Sequence, residues 1–316
     1  MSDNVSTLIE PLGASLRGSI AVPGDKSISH RAILFSAMAE GTSRVSGVLD
    51  SEDVRSSVEA VSKLGANVHL EQQPDGSLSG GITGWGAQGP VQPDGPIDCG
   101  NSGTTARLLM GILAPWDIQV ELTGDASLCK RPMRRITAPL SKMGAKFFPE
   151  QRDTLPLTVH GNASLRAIEY ESPVASAQLK TAVILAGIYA HGVTSVTEPA
   201  PSRNHTELML PGYGVSTTAA SCVASVEGPA ALRPAEVHVP GDPSSAAFLL
   251  CAAVLIPGSA IQVEGVSLNP ARIGRLSRWV SMHPAGASVT PVRSPTASFL
   301  PGTALTCADV RFLPTR

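Results

Sequence analysis

Two stretches of the chain share one pattern of hydrophobic and polar positions. Residues 19–48 (SIAVPGDKSISHRAILFSAMAEGTSRVSGV) align with residues 236–266 (EVHVPGDPSSAAFLLCAAVLIPGSAIQVEGV), with VPGD in register. In both, a short alternating run enters a Pro-Gly-Asp turn, a Ser-rich segment opens an apolar helix of about three turns, and an alternating strand follows. The pattern therefore predicts the same strand-turn-helix-strand unit at both places.

Weaker copies of this unit follow in the same order at residues 99–122 and 175–197. Residues 61–68 (VSKLGANV) and 140–147 (LSKMGAKF) also match each other, each predicting a helix that ends at Gly before a strand. We therefore predict an α/β fold of repeated units, each with two helices and a small sheet, and with the helices packed inside. One continuous doubly wound sheet is the alternative, but the first crossover lacks the GxGxxG spacing.

The last part of the chain, residues 275–316, breaks the pattern. It has no helical period, and Ser, Thr, Pro and Ala fill 20 of its 42 positions. This composition predicts loop, and it resembles an out-of-frame product.

Length and charge narrow the class of protein. The 316 residues suffice for two domains with cores that need no disulfide or metal, and 42% hydrophobic with 16% charged residues excludes a disordered chain. The net charge of -2 gives no overall basic field for nucleic acid or an anionic membrane. Any anion site must therefore concentrate its cations locally.

Cysteine usage and hydropathy predict a cytoplasmic protein. Five cysteines without a CxxC pair suit a reducing compartment, and the histidines lack metal-ligand spacing, so we expect no metal. The longest apolar stretch, residues 246–256, is too short to span a bilayer, and the opening residues lack the features of a signal peptide.

Each repeat places Gly, Ser or Asn directly before a helix, where free backbone N–H groups can receive an anion. There is no P-loop. The structural alternative at the first helix is a Ser-capped surface helix with solvated Lys and Arg, which is common. At the second segment the alternative is a plain tight turn. From the residues alone, the chain is predicted to be an α/β protein with several cationic, anion-binding loops. The candidate residues are Lys26, Ser27 and Arg31 at the first helix, Asn101, Gly103 and Arg131 at the second helix and the loop after it, and Ser176, Ala177, Gln178 and Arg203 at the third.

Seven segments together resemble the 5-enolpyruvylshikimate-3-phosphate synthases, a family of enolpyruvyl transferases in aromatic amino-acid biosynthesis. They are PGDKSISHRA, GNSGTTAR, GDASLCKRPM, ASAQLKTA, PSRNHTE, VPGDPSSAAF and SLNPARIG, in order from about Gly18 to Gly274. The resemblance implies an inside-out α/β barrel fold in two domains. Residues 24–240 would form a complete domain of three repeats, and residues 1–23 with 241–316 an incomplete second one.

The resemblance also implies a reaction and a role for each candidate residue. The 5-hydroxyl of shikimate 3-phosphate would add to C2 of phosphoenolpyruvate as C3 is protonated, and phosphate would then leave, without a cofactor. Lys26, Ser27 and Arg31 would bind shikimate 3-phosphate, with Lys26 also reaching phosphoenolpyruvate. Ser176, Ala177, Gln178 and Arg203 would hold the phosphate and ring of shikimate 3-phosphate, while Asn101, Gly103 and Arg131 would line the phosphoenolpyruvate pocket. The expected partners are these two small molecules, with no nucleic acid or membrane, and the expected state is a monomer.

Two further expectations concern specificity and activity. Gly103 lies where family members sensitive to the inhibitor glyphosate have glycine. The family's acid and base groups belong to a C-terminal region that cannot be mapped onto residues 275–316, so the chain is expected to be truncated or frameshifted after about residue 274, and its catalytic residues are unknown. A substrate-binding fragment without turnover is the alternative function. The UDP-N-acetylglucosamine enolpyruvyl transferases fit less well, because they have Lys-Asn in place of Lys26-Ser27 and their loop cysteine would fall on Ala126.

Overall fold

A computed structural model describes residues 14–220 and 222–272, together with the backbone of residues 288–293 and 307–313. The expected tail beyond residue 272 therefore lies largely outside the described residues. The helices are α1 (Lys26–Met38), α2 (Glu52–Lys63), α3 (Gly103–Leu113), α4 (Arg134–Met143), α5 (Ala177–Gly187), α6 (His205–Met209) and α7 (Pro243–Leu255). The strands are β1 (Arg17–Ala21), β2 (Glu40–Val48), β3 (Asn67–Gln72), β4 (Leu78–Trp85), β5 (Ile97–Asp98), β6 (Gln119–Thr123), β7 (Lys146–Phe148), β8 (Leu157–His160), β9 (Glu169–Glu171), β10 (Gly192–Thr197), β11 (Thr217–Ala220), β12 (Val223–Gly228), β13 (Glu236–His238), β14 (Ala260–Ser267), β15 (Ser288–Arg293) and β16 (Cys307–Leu313).

The described strands form four sheets of four strands each, with the orders β13-β2-β4-β3, β5-β6-β8-β7, β9-β10-β12-β11 and β1-β14-β16-β15. Every sheet has one parallel pair at one edge and two antiparallel pairs beside it. This common pairing plan confirms the predicted fold of repeated units. A single continuous doubly wound sheet is wrong for the described part of the chain.

The expectation that residues 275–316 form only loop is wrong in two places. β16 pairs with β14, and β15 pairs with β16, so both complete a sheet of the common plan. Composition gives no sign of these strands, because Ser, Thr and Pro are typical loop residues and the two valines of SVTPVR are three positions apart, without the alternation of a strand. Pro291 is compatible with a strand here, since β15 lies at the edge of its sheet.

Helices fill the interior and sheets face outward, as predicted. α1, α3 and α5 are buried along nearly their whole length. α3 and α5 pack closely, because a Cβ added at Gly111 would lie 2.2 Å from the Ala182 carbonyl oxygen. Only Gly allows so close an approach of two helix backbones.

Buried apolar side chains fall into two clusters. The larger runs from Ile28 to Val239, and the smaller joins α7 to β14. α7 leaves Phe248 and Leu255 exposed, at 80% and 69%. The division into domains at residues 24–240 stays a prediction.

The predicted glycine helix ends are confirmed. Gly65 follows the end of α2 with φ 98°, and Gly144 caps α4 with φ 121°. Among the described residues, no helix has the length and hydropathy to cross a membrane.

Candidate functional site

The three buried helices α1, α3 and α5 all begin with a capping side chain. Asp25, Ser102 and Ser176 each accept a hydrogen bond from the backbone N–H three residues further along, at 3.0, 3.2 and 3.3 Å. Such caps leave other N–H groups of the first turn free for a ligand.

Side-chain hydrogen bonds join the beginnings of these helices. Arg31 of α1 donates to Thr181 Oγ1 of α5 at 2.8 Å, and Gln178 Nε2 of α5 donates to Thr104 Oγ1 of α3 at 3.1 Å. The three N-terminal ends therefore lie close together. Because each carries the positive end of a helix dipole, this arrangement favours anions.

Lys26 and Ser27 occupy the first turn of α1. The Lys26 ammonium pairs with the Asp53 carboxylate, and its side chain remains 47% exposed. Ser27 Oγ accepts a hydrogen bond from Arg203 Nη1 at 3.1 Å. The structure thus brings together the candidates of the first and third groups.

Arg31 is buried, with 4% of its surface exposed. Its Nε and Nη2 donate to Thr206 and Thr181 hydroxyls, both at 2.8 Å, and its Nη1 donates to the Ser27 carbonyl at 2.9 Å. Burial lowers the pKa of Arg31 to about 10. A surface helix with solvated cations is therefore the wrong interpretation for α1.

Asn101 and Arg131 come together from two loops. Arg131 Nη2 donates to Asn101 Oδ1 at 2.5 Å, and Asn101 Nδ2 donates to Asp125 Oδ2 at 2.6 Å. The Asn101 bond lowers the pKa of Asp125. The amide therefore links a cation to an anion and fixes both loops.

Gly103 is the first residue of α3, and its backbone φ is not positive, so its conformation is one that any residue can adopt. A Cβ here would lie 2.6 Å from Arg107 Nη1 and 3.3 Å from Arg131 Nη1. The missing side chain therefore makes room for two guanidinium groups.

Arg107 is a further buried cation at this place. Its Nη1 donates to Gln178 Oε1 at 3.1 Å, and Arg135 Nη2 donates to the same oxygen at 3.2 Å. Burial, followed by the like charges of Arg135 and Arg131, lowers the pKa of Arg107 to about 10. A bound anion would relieve this crowding of cations.

A cleft of about 700 Å³ opens at the N-terminal end of α5. Three arginines line it, namely Arg135, Arg203 and Arg272. No carboxylate is among its described lining residues. The cleft thus offers cations and helix N–H groups to an anion. Its remaining lining residues are Ala175, Ser176, Ala177, Gln178, Pro201, Ser202 and Ala271.

Arg272 connects this cleft to the two Pro-Gly-Asp turns. Its Nη2 lies 2.7 Å from Asp242 Oδ1 and 3.6 Å from Asp25 Oδ2. These two carboxylates cap α7 and α1. Burial and the nearby Asp242 raise the pKa of Asp25, while Arg272 acts against them.

Metal-binding and disulfide chemistry find no support in the described part of the chain. No group of three or more His, Cys, Asp or Glu there could hold a metal ion, and the four described cysteines are free.

Comparison with known proteins identifies the family. A family model described as EPSP synthase (3-phosphoshikimate 1-carboxyvinyltransferase) matches residues 12–311. The chain belongs to the EPSP synthase family. Its inside-out α/β fold is the fold of that family.

Named relatives agree with this family. A 3-phosphoshikimate 1-carboxyvinyltransferase of Xanthomonas campestris pv. campestris (strain B100) is 47% identical over 88% of this chain. One of Alkalilimnicola ehrlichii is 49% identical over 83% of the chain. A solved EPSP synthase from Acinetobacter baumannii matches 94% of the chain with a TM-score of 0.84 and 38% identity.

The chain spans only part of the length of these EPSP synthases. The match covers 62% of the Xanthomonas protein, 58% of the Alkalilimnicola protein and 64% of the Acinetobacter structure.

The structure gathers all ten candidate residues around the N-terminal ends of α1, α3 and α5. Sequence reasoning missed Arg107, Arg135 and Arg272 as site residues. A local signal existed for Arg107, because it lies four positions after Gly103, one turn further along α3. No such helical spacing points to Arg135 or Arg272.

Proposed function

We propose that this chain carries out the reaction of its family, the transfer of the enolpyruvyl group from phosphoenolpyruvate to the 5-hydroxyl of shikimate 3-phosphate. The observation that carries this proposal is the cleft of about 700 Å³ at the N-terminal end of α5, lined by three arginines and no described carboxylate. Phosphate and carboxylate groups need fixed cations of this kind in a site shielded from water.

The candidate residues divide between the two substrates. Ser176, Ala177, Gln178 and Arg203 would hold the phosphate and ring of shikimate 3-phosphate, together with Lys26, Ser27 and Arg31. Support comes from the bond between Arg203 and Ser27, since it makes one continuous wall from α1 to the cleft.

Asn101, Gly103 and Arg131 would line the phosphoenolpyruvate pocket, and Lys26 would also reach phosphoenolpyruvate. In support, Arg131 bonds Asn101, and its Nη1 lies just 3.3 Å from the Cβ position of Gly103. A carboxylate or phosphate there would meet a cation that is already held in place.

The proposal requires no metal or organic cofactor, because both addition and phosphate elimination proceed by proton transfer. We further infer that the chain acts in the cytoplasm as a monomer on these small anions. The odd number of cysteines supports the reducing compartment, and the low net charge argues against nucleic acid or an anionic membrane as the partner.

Binding without turnover is the second candidate function, and one observation favours it. In the described residues, the carboxylates near the site are already engaged. Asp53 pairs with Lys26, Asp125 bonds Asn101, Asp25 and Asp242 face Arg272, and Glu198 and Glu207 pair with Lys180. A general base must reach the proton that it removes. The UDP-N-acetylglucosamine reaction is not favoured, since the family model and the relatives are named 3-phosphoshikimate 1-carboxyvinyltransferase.

Two measurements on the purified 316-residue chain test these functions. Calorimetric titration with shikimate 3-phosphate, and with phosphoenolpyruvate in its presence, tests binding, while phosphate release from the mixed substrates tests turnover. Saturable binding with phosphate release supports the transferase. Binding without release supports the second candidate, and no binding of either substrate contradicts both.

A further inference from the structure

We propose that Glu198, a buried carboxylate behind the arginine-lined cleft, is a positioning residue that fixes both walls of that cleft. The argument for its effect on ligand affinity rests on the proposed function, because it takes the cleft as the binding site for the phosphate of shikimate 3-phosphate. The geometry itself is independent of which anion binds.

Glu198 directly follows β10, and both of its carboxylate oxygens are used. Oε1 accepts the backbone N–H of Ser176 at 2.7 Å, and Oε2 accepts the hydroxyl of Ser202 at 2.7 Å. Ser176 and Ser202 line the cleft from two different segments. One side chain therefore sets the distance between the start of α5 and the loop before α6.

The loop that Glu198 holds also carries Arg203. Because Ser202 is the preceding residue, its bond to Glu198 restricts where the Arg203 backbone can lie. Arg203 Nη1 in turn reaches Ser27 Oγ at 3.1 Å. Glu198 therefore holds Ser202, and Ser202 restricts the position of Arg203, the cation that would contact the ligand.

Lys180 explains how a carboxylate is tolerated behind an anion site. Its ammonium lies 2.9 Å from Glu198 Oε2 and 2.8 Å from Glu207 Oε1. The three side chains are nearly inaccessible, with exposures of 6%, 1% and 3% for Lys180, Glu198 and Glu207. A buried carboxylate needs such pairing and hydrogen bonding to persist.

Glu207 provides a matched control. It shares Lys180 with Glu198 and is equally buried, but its side chain holds no cleft residue, and its Oε2 has no hydrogen-bond partner in the described residues. Glu198→Gln and Glu207→Gln each remove one negative charge and leave Lys180 paired with the other glutamate. Both changes therefore make the electrostatic potential of the cleft more positive.

The two variants differ in hydrogen bonding. A glutamine at 198 has one acceptor oxygen. If that oxygen faces the Ser176 N–H, the NH₂ group meets the Lys180 ammonium, and Ser202 must turn its hydroxyl round to accept. If it faces Lys180 and Ser202, the Ser176 N–H loses its acceptor. In either orientation a contact that fixes one wall of the cleft is lost or weakened. A glutamine at 207 can keep its oxygen on Lys180 and place its NH₂ at the unpaired position.

Calorimetric titration of the full chain with shikimate 3-phosphate and with inorganic phosphate tests this inference. We expect Glu198→Gln to weaken binding by about tenfold or more, although loss of a negative charge alone would strengthen it. Glu207→Gln should bind as tightly as the wild-type chain or more tightly. Equal affinity of Glu198→Gln and wild type, or equal weakening in both variants, overturns the proposal.

Hydrogen exchange separates this inference from the proposed function. In Glu198→Gln, amides of residues 174–178 and 199–204 should exchange faster than in wild type, and Glu207→Gln should leave them unchanged. If the wild-type chain binds neither ligand, the proposed function fails and the exchange data alone decide the positioning role. If Glu198→Gln does not fold, Ser202→Ala removes one of the two links and leaves the Lys180 pair intact, so faster exchange in residues 199–204 is expected there. Unchanged exchange in that variant overturns the proposal.

Discussion

Substitution of Gly103 by Ala places one methyl group between two guanidinium groups. The new Cβ would lie 2.6 Å from Arg107 Nη1, so this group must retreat by about 1 Å to reach ordinary van der Waals separation. Arg131 Nη1, at 3.3 Å, would move far less. The methyl group therefore acts on the anion pocket first through Arg107.

The expected cost follows from what Arg107 bonds. Retreat breaks its 3.1 Å bond to Gln178 Oε1, and hydrogen bonds of charged groups contribute about 1.5–3 kcal/mol. Against this, alanine is favoured over glycine in a helix by up to about 1 kcal/mol. The net loss of folding stability should therefore stay below about 2 kcal/mol, and ligand binding can be measured on a folded variant.

Binding should change more for glyphosate than for phosphoenolpyruvate. Both are anions, but glyphosate is the longer molecule and meets the methyl group beside the pocket. We expect its affinity to fall by about tenfold or more, and that of phosphoenolpyruvate by less than about threefold.

Calorimetric titration of both ligands in the presence of saturating shikimate 3-phosphate measures these changes. Gly95→Ala is the control, because a Cβ there meets nothing within 4 Å and the residue has no positive φ. Equal fold-changes for both ligands would refute the pocket argument. So would a loss of stability of the expected size with both affinities unchanged.

Three further predictions address charge, pH and packing. Arg131→Ala should weaken phosphoenolpyruvate binding by about 10- to 100-fold, and Lys26→Ala should do the same for shikimate 3-phosphate, because each loses a charge-assisted contact; calorimetry with both ligands checks this, and unchanged affinities contradict it. Burial lowers the pKa of His30 to about 3, so below pH 6.5 the unfolded chain takes up a proton that the folded chain does not. The stability present above pH 6.5 should fall by about 2 kcal/mol at pH 5 through this group, and His30→Asn should remove that share in urea denaturation. Gly111→Ala should lower the free energy of unfolding by about 1–3 kcal/mol, since its Cβ meets Ala182, whereas thermal denaturation of Gly95→Ala should match wild type.

The repeat architecture could be predicted from sequence because its signals are local. A Pro-Gly-Asp turn, a capping Ser and a Gly helix end each act within a few residues, and they recur in the same order. The strands β15 and β16 could not be predicted in this way, because β16 is held by pairing with β14, which is distant in the chain, and β15 is held by pairing with β16. Composition carries no information about such a partner.

The candidate site shows the same limit. Lys26, Ser27 and Arg131 lie in loops and helix starts whose motifs are local, whereas the contacts that hold them are distant. Arg31 bonds residues 150 and 175 positions away, and Glu198 bonds Ser176 across 22 positions. A sequence pattern names the ligand-facing residues, but the buried residues that fix them depend on how the repeats pack.

Charge distribution explains how a chain with a net charge of -2 can present a cationic cleft. Behind the cleft, Arg31 and Lys180 are buried with Glu198 and Glu207, two cations against two anions, so this layer is neutral as a whole. In front of it, Arg135 and Arg203 have no carboxylate partner among the described ion pairs. Because the buried layer cancels internally, the field in the cleft comes from these arginines and from the helix ends. Glu207→Gln unbalances the buried layer in favour of positive charge and leaves every ligand-facing residue in place, so it should not weaken anion binding.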